Sequence, residues 1–152
     1  MLREILKSKD DNDPRLDSAF NQLSPETKRL FREEYRKTAP ERRNERGTIV
    51  YLLGRNLASA EDWAFMRAVA GEPPCLSLAD CSQAMKPTDE YLGAIEVSLA
   101  YPALVALEQA KRVLAQKGLS PFQAREARSV VQAAAQSAAP IVARKAAEIT
   151  NR

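Results

Sequence analysis

Residues 46–71, RGTIVYLLGRNLASAEDWAFMRAVAG, decide the fold class of this chain. Apolar side chains recur in this stretch every three or four residues, the spacing that places them on one face of an α-helix. Ser59 and Asp62 lie between two such apolar runs and are typical of a capping box, and Gly71 is a typical stop signal. The apolar positions are Ile49, Leu52, Leu53, Leu57, Trp63, Phe65, Met66 and Val69. The stretch therefore predicts two successive amphipathic helices.

The same pattern continues on both sides of this stretch. Ser24-Pro25 and Ser120-Pro121 each place a capping serine before a proline at the first helical position, and Pro140 is placed to restart a helix. From the apolar spacing we expect the following residues to be buried: Leu30, Phe31, Leu52, Leu53, Phe65 and Leu107. The chain is therefore predicted to be all-α.

The chain has 152 residues, which fits a single helical domain over residues 1–152. We expect N-terminal helix pairs in residues 1–71 and C-terminal helices in residues 102–150. Residues 72–101 are predicted to be one long irregular or extended excursion, because Pro73-Pro74 cannot continue a helix. A connection of this length is uncommon in a compact domain and often carries function.

Residues 95–101 admit two interpretations. Their apolar side chains alternate with small or polar ones up to Pro102, and the residue before a proline avoids the helical region. The alternating apolar residues are Ile95, Val97, Leu99 and Tyr101. We favour an extended segment, and the alternative is a helix that begins at Thr88 and is kinked at Pro102.

Two short patterns resemble the second helix of a HEAT repeat. One is Asp13-Pro14-Arg15-Leu16 followed by Ala19, and the other is Arg46 followed by Ile49, Leu53 and Gly54. The resemblance implies a short HEAT-like α-solenoid or right-handed helical array, in which each helix pair buries its faces on its neighbours. It also implies that Asp13, Arg15 and Arg46 are polar residues that hydrogen-bond between repeats. A compact irregular bundle is the alternative.

The composition argues against most catalytic and metal chemistry. The chain has no histidine, the commonest general base and metal ligand, and it shows no glycine-rich phosphate loop or nucleophile elbow. We therefore name no catalytic residue and expect no enzyme activity, no metal and no cofactor. No run approaches the roughly 18 apolar residues that a membrane span requires. We expect a soluble, cytoplasmic protein without membrane insertion, or an exported or periplasmic one if a signal segment has been removed.

Cys75 and Cys81 leave two states open. In an oxidising compartment they can close a small disulfide loop, whereas in a reducing one they would be free thiols. A zinc site would need about two further nitrogen or sulfur ligands, which the chain does not offer nearby. Because long loops often carry binding, we also predict an interaction surface here. Its candidate residues are Leu76, Leu78, Asp80 and Tyr91. The alternative is that the excursion only seals the ends of the helices.

Basic residues concentrate in residues 28–46. Arg29, Arg32 and Arg36 share one helix face, and together with Arg43 they are candidate phosphate contacts. Glutamates are interleaved with them, so a solvated face with ion pairs is the favoured interpretation. The expected function is accordingly a non-enzymatic helical-repeat scaffold that binds a protein or peptide. Nucleic-acid binding through residues 28–46 is the alternative, and the sequence gives no oligomeric state.

Overall fold

The computed structural model describes residues 1–10, 12–84 and 92–151. These residues form nine helices and no strand, and 66 % of them are helical. The helices are α1 (Leu2–Ser8), α2 (Arg15–Ser18), α3 (Pro25–Lys37), α4 (Arg43–Gly54), α5 (Ala60–Ala70), α6 (Leu92–Leu99), α7 (Tyr101–Leu114), α8 (Pro121–Ala135) and α9 (Pro140–Thr150). The predicted all-α fold class is confirmed. Among the described residues, no helix combines the length and the hydropathy needed to cross a membrane.

The predicted start signals begin the helices that contain the core. Ser24, Ser59 and Ser120 each accept a hydrogen bond from the backbone N–H three residues later. Ser59 and Asp62 form a complete capping box at the start of α5, and Pro140 is the first residue of α9. These caps satisfy N–H groups that the first helical turn leaves unpaired.

Helices α4 and α5 form one hairpin, α7 and α8 form a second, and the two hairpins stack on each other. In this arrangement α4 packs along α7, α5 packs along α8, and α7 and α8 also pack on each other. Helix α3 covers α4 on one side, and α9 covers α8 and α7 on the other. One continuous core runs through these contacts, with the following large side chains fully buried: Trp63, Ile5, Ile49, Leu52, Met66, Val50, Val69, Val130 and Val142.

Two glycines let α4 approach α7 closely. A Cβ atom at Gly47 would overlap the ring of Tyr101, and one at Gly54 would overlap the side chain of Gln109. The Gly54 carbonyl also accepts a hydrogen bond from Arg112 Nη2 at 3.0 Å. Absence of a side chain at these two positions therefore sets the spacing of the two central helices.

One predicted core residue is on the wrong face. The side chain of Leu30 is 49 % exposed, whereas Phe31, Leu52, Leu53, Phe65 and Leu107 are buried as predicted. The buried residues of α3 are Lys28, Phe31 and Tyr35, which lie on one face of the helix because they are spaced by three and four residues. Leu30 precedes Phe31 by one residue, about 100° around the helix, and so points outward.

The extended interpretation of residues 95–101 is wrong. Helix α6 ends at Leu99, Ala100 breaks the helix with φ −115° and ψ 19°, and α7 begins at Tyr101. Pro102 lies in the first turn of α7, where its missing N–H costs nothing because that group has no helical acceptor. The excursion therefore contains a helix, as the alternative supposed, although the break lies at Ala100 and not at Pro102. The start that this alternative placed at Thr88 lies outside the residues that the structure describes.

Candidate interaction surfaces

An apolar groove lies between α6, α7 and α9. It encloses about 610 Å³, and its lining comes from faces of all three helices. The apolar lining consists of Val97, Tyr101, Leu104, Val105, Leu107, Leu114, Ala115, Ile141 and Ile149. Val97 and Tyr101 are 42 % and 36 % exposed, so part of this apolar surface is open to water. We call this surface the groove.

Charged side chains of both signs line the rims of the groove. On α7, Lys111 Nζ lies 3.2 Å from a carboxylate oxygen of Glu108, and on α9 Lys145 Nζ lies 3.8 Å from Glu148. The four side chains are 45–64 % exposed, so each pair contributes little to stability and its members can exchange partners with a bound molecule. A surface with an apolar floor and a mixed-charge rim has the composition of a protein interface.

The two cysteines form a disulfide in the structure. The loop that the bond closes, residues 75–81, is fastened at both ends. The Cys75 N–H donates to the Leu99 carbonyl at 3.0 Å, and the Cys81 N–H donates to Glu41 Oε1 at 2.9 Å. Arg43 Nη2 donates to the Leu78 carbonyl at 3.0 Å. We call residues 75–81 the disulfide loop.

The four candidate interaction residues of the loop differ in how accessible they are to a partner. Leu76 and Leu78 are 48 % and 45 % exposed, as a contact surface requires. Asp80 accepts hydrogen bonds from the Ser82 N–H and hydroxyl, and these bonds lower the pKa of its carboxyl. Asp80 is therefore engaged in the turn of its own loop. Tyr91 lies outside the residues that the structure describes.

The predicted phosphate contacts are mostly engaged with protein groups. Arg29 pairs with Glu26 and Glu33, and side-chain hydrogen bonding to Glu26 raises its pKa. Arg32 lies 3.3 Å from Asp62 and the same distance from Glu61.

Arg43 holds the disulfide loop, whereas exposed Arg36 makes no ion pair or hydrogen bond to the described part of the chain. Arg29, Arg32, Arg36 and Arg46 nevertheless line one hollow between α3 and α5. The hollow encloses about 520 Å³, and we call it the arginine hollow.

The polar residues that the HEAT resemblance singles out behave differently from one another. Asp13 pairs with Arg15 at 2.6 Å, and the Arg15 hydrogen bonds lower the pKa of the Asp13 carboxyl. Arg15 also lies 3.7 Å from Glu4 of α1. Arg46 stacks on the ring of Tyr35 at 4.0 Å and pairs with Glu72 at 3.5 Å, so it connects α4 with α3 and with the end of α5.

A buried ionic cluster lies between α3 and α5. Lys28 Nζ donates to Asp62 Oδ2 at 2.8 Å, and the two side chains are only 10 % and 4 % exposed. Burial by itself raises the pKa of Asp62, but the hydrogen bonds from Lys28, from Ser59 N–H and from Ala58 N–H outweigh burial and leave that pKa below its usual value. Asp62 thus remains a carboxylate that both caps α5 and anchors α3.

A phenol lies beside this cluster in the same interface. The Tyr35 hydroxyl donates to Glu72 Oε2 at 2.8 Å, and burial, together with the Glu72 charge, raises the pKa of Tyr35 well above its usual value. The described residues contain no group of three or more histidine, cysteine, aspartate or glutamate side chains arranged to hold a metal ion.

Comparisons with protein-family models, with curated proteins and with solved structures all find nothing similar.

The groove was not predicted from the sequence, in which Leu107 was the residue of α7 expected to be buried. Ala103, Ala106 and Ala110 form the buried face of α7, and Leu104 and Leu114 face the groove. A helix with small apolar residues on one face and large ones on another is a signal that two surfaces must be covered. That signal was present in residues 101–114.

Proposed function

We propose that the chain is a non-enzymatic interaction module that binds a helical segment of a protein partner in the groove between α6, α7 and α9. The observation that supports this proposal is the groove, which combines about 610 Å³ of space with an apolar lining and charged rims. Contiguous exposed apolar surface rimmed by polar groups is typical of sites where proteins bind other proteins.

The shape of the groove favours a helix as its occupant. Helix α9 has 11 residues and is therefore about 16 Å long, which is the length of roughly three helical turns. A partner helix with apolar residues at positions i, i+3, i+4 and i+7 would cover such a floor. Because the rims carry both signs of charge, lysines and glutamates flanking those residues would each find a counterpart among Glu108, Lys111, Lys145 and Glu148.

The stacking of the hairpins supports the scaffold part of the proposal. Helix α4 lies on α7 and α5 lies on α8, which is the like-on-like stacking that helical repeats use. In a HEAT-like solenoid each helix pair presents a face that its neighbour does not cover. The groove would be such a face at the C-terminal end of the stack.

The test measures binding of a labelled amphipathic peptide. The probe is a fluorescein-labelled helix of about four turns with leucines at i, i+3, i+4 and i+7 and alternating lysines and glutamates elsewhere. We expect Val97→Glu and Ile141→Glu, on opposite walls of the groove, each to weaken binding about tenfold or more, because each buries a charge against the leucines. Fluorescence anisotropy reads the affinity.

Leu30→Glu is the matched control. Leu30 is 49 % exposed and lies on α3, outside the groove, so the same change there should leave the affinity unaltered. Circular dichroism checks that all variants are folded. Equal loss in the control, or no loss in either groove variant, would contradict the proposal.

Nucleic-acid binding is a second candidate, and the arginine hollow favours it. Four arginines line this hollow with two glutamates, Glu61 and Glu72, so its lining carries a net positive charge. If about three phosphates are contacted, the logarithm of affinity for a single-stranded oligonucleotide should fall with log salt with a slope of about −2. Arg36→Ala should reduce that slope. Binding of the leucine peptide should instead change little with salt.

A further inference from the structure

The disulfide loop joins two parts of the molecule that are distant in sequence. One end is hydrogen-bonded to the Leu99 carbonyl, at the last residue of α6, and the other to Glu41, in the turn between α3 and α4. Through these two bonds the loop holds the end of α6 against the N-terminal half of the chain.

Little apolar contact supports the loop itself. Leu76 and Leu78 expose nearly half of their surface, and inside the loop the contacts are polar: Leu76 N–H donates to the Cys81 carbonyl at 3.1 Å, and the Ser77 hydroxyl donates to the Asp80 carbonyl at 2.6 Å. Segments that bury few apolar groups open at low free-energy cost. The covalent bond is therefore the main constraint that keeps both anchoring N–H groups in place.

The two sulfurs differ in access. Cys75 is 9 % exposed and its sulfur lies 3.6 Å from the Pro40 carbonyl, whereas Cys81 is more open and Arg43 Nη1 lies 4.0 Å from its sulfur. A neighbouring guanidinium stabilises a thiolate. Cys81 Sγ is thus the sulfur that a small thiol reaches first, and its thiolate has a counter-charge ready.

The end of α6 is also part of the groove. Val97 lies two residues before Leu99 and lines the groove, and Glu96 pairs with Arg144 of α9 at 3.4 Å. Among the described helices, the main neighbour of α6 is α7. The Leu99 anchor that the disulfide loop provides is therefore one of the few contacts that position this wall, together with α7 and Arg144.

We propose that the Cys75–Cys81 disulfide is a modification site for low-molecular-weight thiols, and that its reduction releases the α6 wall and weakens binding in the groove. The second half of this statement rests on the proposed function of the groove. A thiolate attacks Cys81 Sγ, the S–S bond breaks, and Cys75 leaves as a thiolate that takes a proton from water. A second thiolate attacks the small-molecule sulfur of the mixed disulfide and releases Cys81. Two thiols are oxidised to one small disulfide while the protein disulfide gains two electrons as two thiols.

The experiment compares the full chain before and after treatment with dithiothreitol. Maleimide labelling counts the free thiols, and hydrogen exchange reads the amides of residues 96–100. We expect two thiols without global unfolding and exchange about tenfold faster at those amides, while amides of α8 stay unchanged. The Cys75→Ser/Cys81→Ser variant should match the reduced protein and should not respond to dithiothreitol. The leucine peptide should bind the reduced chain several-fold more weakly.

The two proposals fail in different ways. If the peptide binds neither form, the proposed function is wrong, and hydrogen exchange still decides whether the disulfide holds α6. If two thiols are counted and exchange at residues 96–100 does not change, the disulfide does not hold the wall. A disulfide that dithiothreitol reduces only after global unfolding would overturn the modification site itself.

Discussion

Different chemistry holds the helices together in the two halves of this molecule. Between α3 and α5 the buried contact includes an ion pair, with Lys28 and Asp62 joined at 2.8 Å, next to the packed rings of Tyr35 and Phe65. Between α7, α8 and α9 the buried contact is apolar and rich in alanine, with Val130 and Val142 fully buried beside the alanines. The fully buried alanines there are Ala106, Ala110, Ala127, Ala134 and Ala146.

The contrast shows that the side chains a helix buries against its neighbours determine which of its apolar side chains remain exposed. Alanines have no rotamers to order and let helix axes come close, so α7 can bury its small residues on α8. Its large apolar side chains, such as Leu104 and Leu114, then lie on the groove side. Helix α3 does the opposite, because it buries Lys28 and leaves Leu30 in water. An apolar groove therefore forms beside the alanine contact.

The largest effect is expected from breaking the ionic contact. Asp62→Ala leaves Lys28 buried without a partner and removes the acceptor for two N–H groups at the start of α5, so it should lower the free energy of unfolding by about 3–5 kcal/mol. Glu61→Ala is the matched control, because Glu61 also pairs with Arg32 but is 83 % exposed. Urea unfolding measures both. Equal, small losses would show that the ionic contact is not what holds α3 to α5.

The second effect tests which leucines are core. Leu53 is 3 % exposed and Leu30 is 49 % exposed. Leu53→Ala should cost about 2–5 kcal/mol through lost burial and a cavity, and Leu30→Ala should cost less than about 0.5 kcal/mol. Denaturant unfolding of the two variants decides the matter. A large cost at Leu30 would mean that α3 is turned differently and that Lys28 is not its inward residue.

The third effect tests the alanine contact. Ala134 is fully buried in α8, whereas the next residue, Ala135, is exposed. Ala134→Leu should therefore cost about 1–3 kcal/mol through overpacking, because the neighbouring helices leave no room for the added atoms. Ala135→Leu should be nearly neutral. If thermal melting shows no difference between them, the C-terminal helices pack more loosely than the structure indicates.

The smallest effect concerns pH. The pKa of Asp62 is lower in the folded protein than the value of 3.8 for an unperturbed carboxyl, so its contribution to stability is complete above about pH 4 and is lost as the pH falls through the folded pKa. The stability difference between the wild type and Asp62→Asn should therefore shrink below about pH 4. Acid unfolding followed by circular dichroism provides the measurement, and a constant difference across this range would contradict the assignment.

Much of the fold could be predicted because its signals are local. The serine at position 59 and the aspartate three residues later specify the start of α5 through hydrogen bonds within one turn, and Ser120 acts in the same way for α8. Where two local signals conflicted, as in residues 95–101, the prediction failed. Over so few residues the same apolar positions fit both a strand-like alternation and a helical period. Only the packing of α6 on α7 decides between the two.

The sequence by itself determined most of the helices, with α6 as the exception, because caps, prolines and apolar spacing act within a few residues of one another. It also restricted the chemistry, since a chain without histidine lacks the commonest proton-transfer group. Only the tertiary structure decided which apolar residues line a groove and which charge is buried. Those outcomes depend on contacts between residues far apart in the chain: Lys28 is inside because Asp62 meets it, 34 residues later, and Val97 reaches the groove because α9 lies opposite. A helix has several faces, and tertiary packing determines which neighbour covers each face. A local sequence pattern does not carry that information.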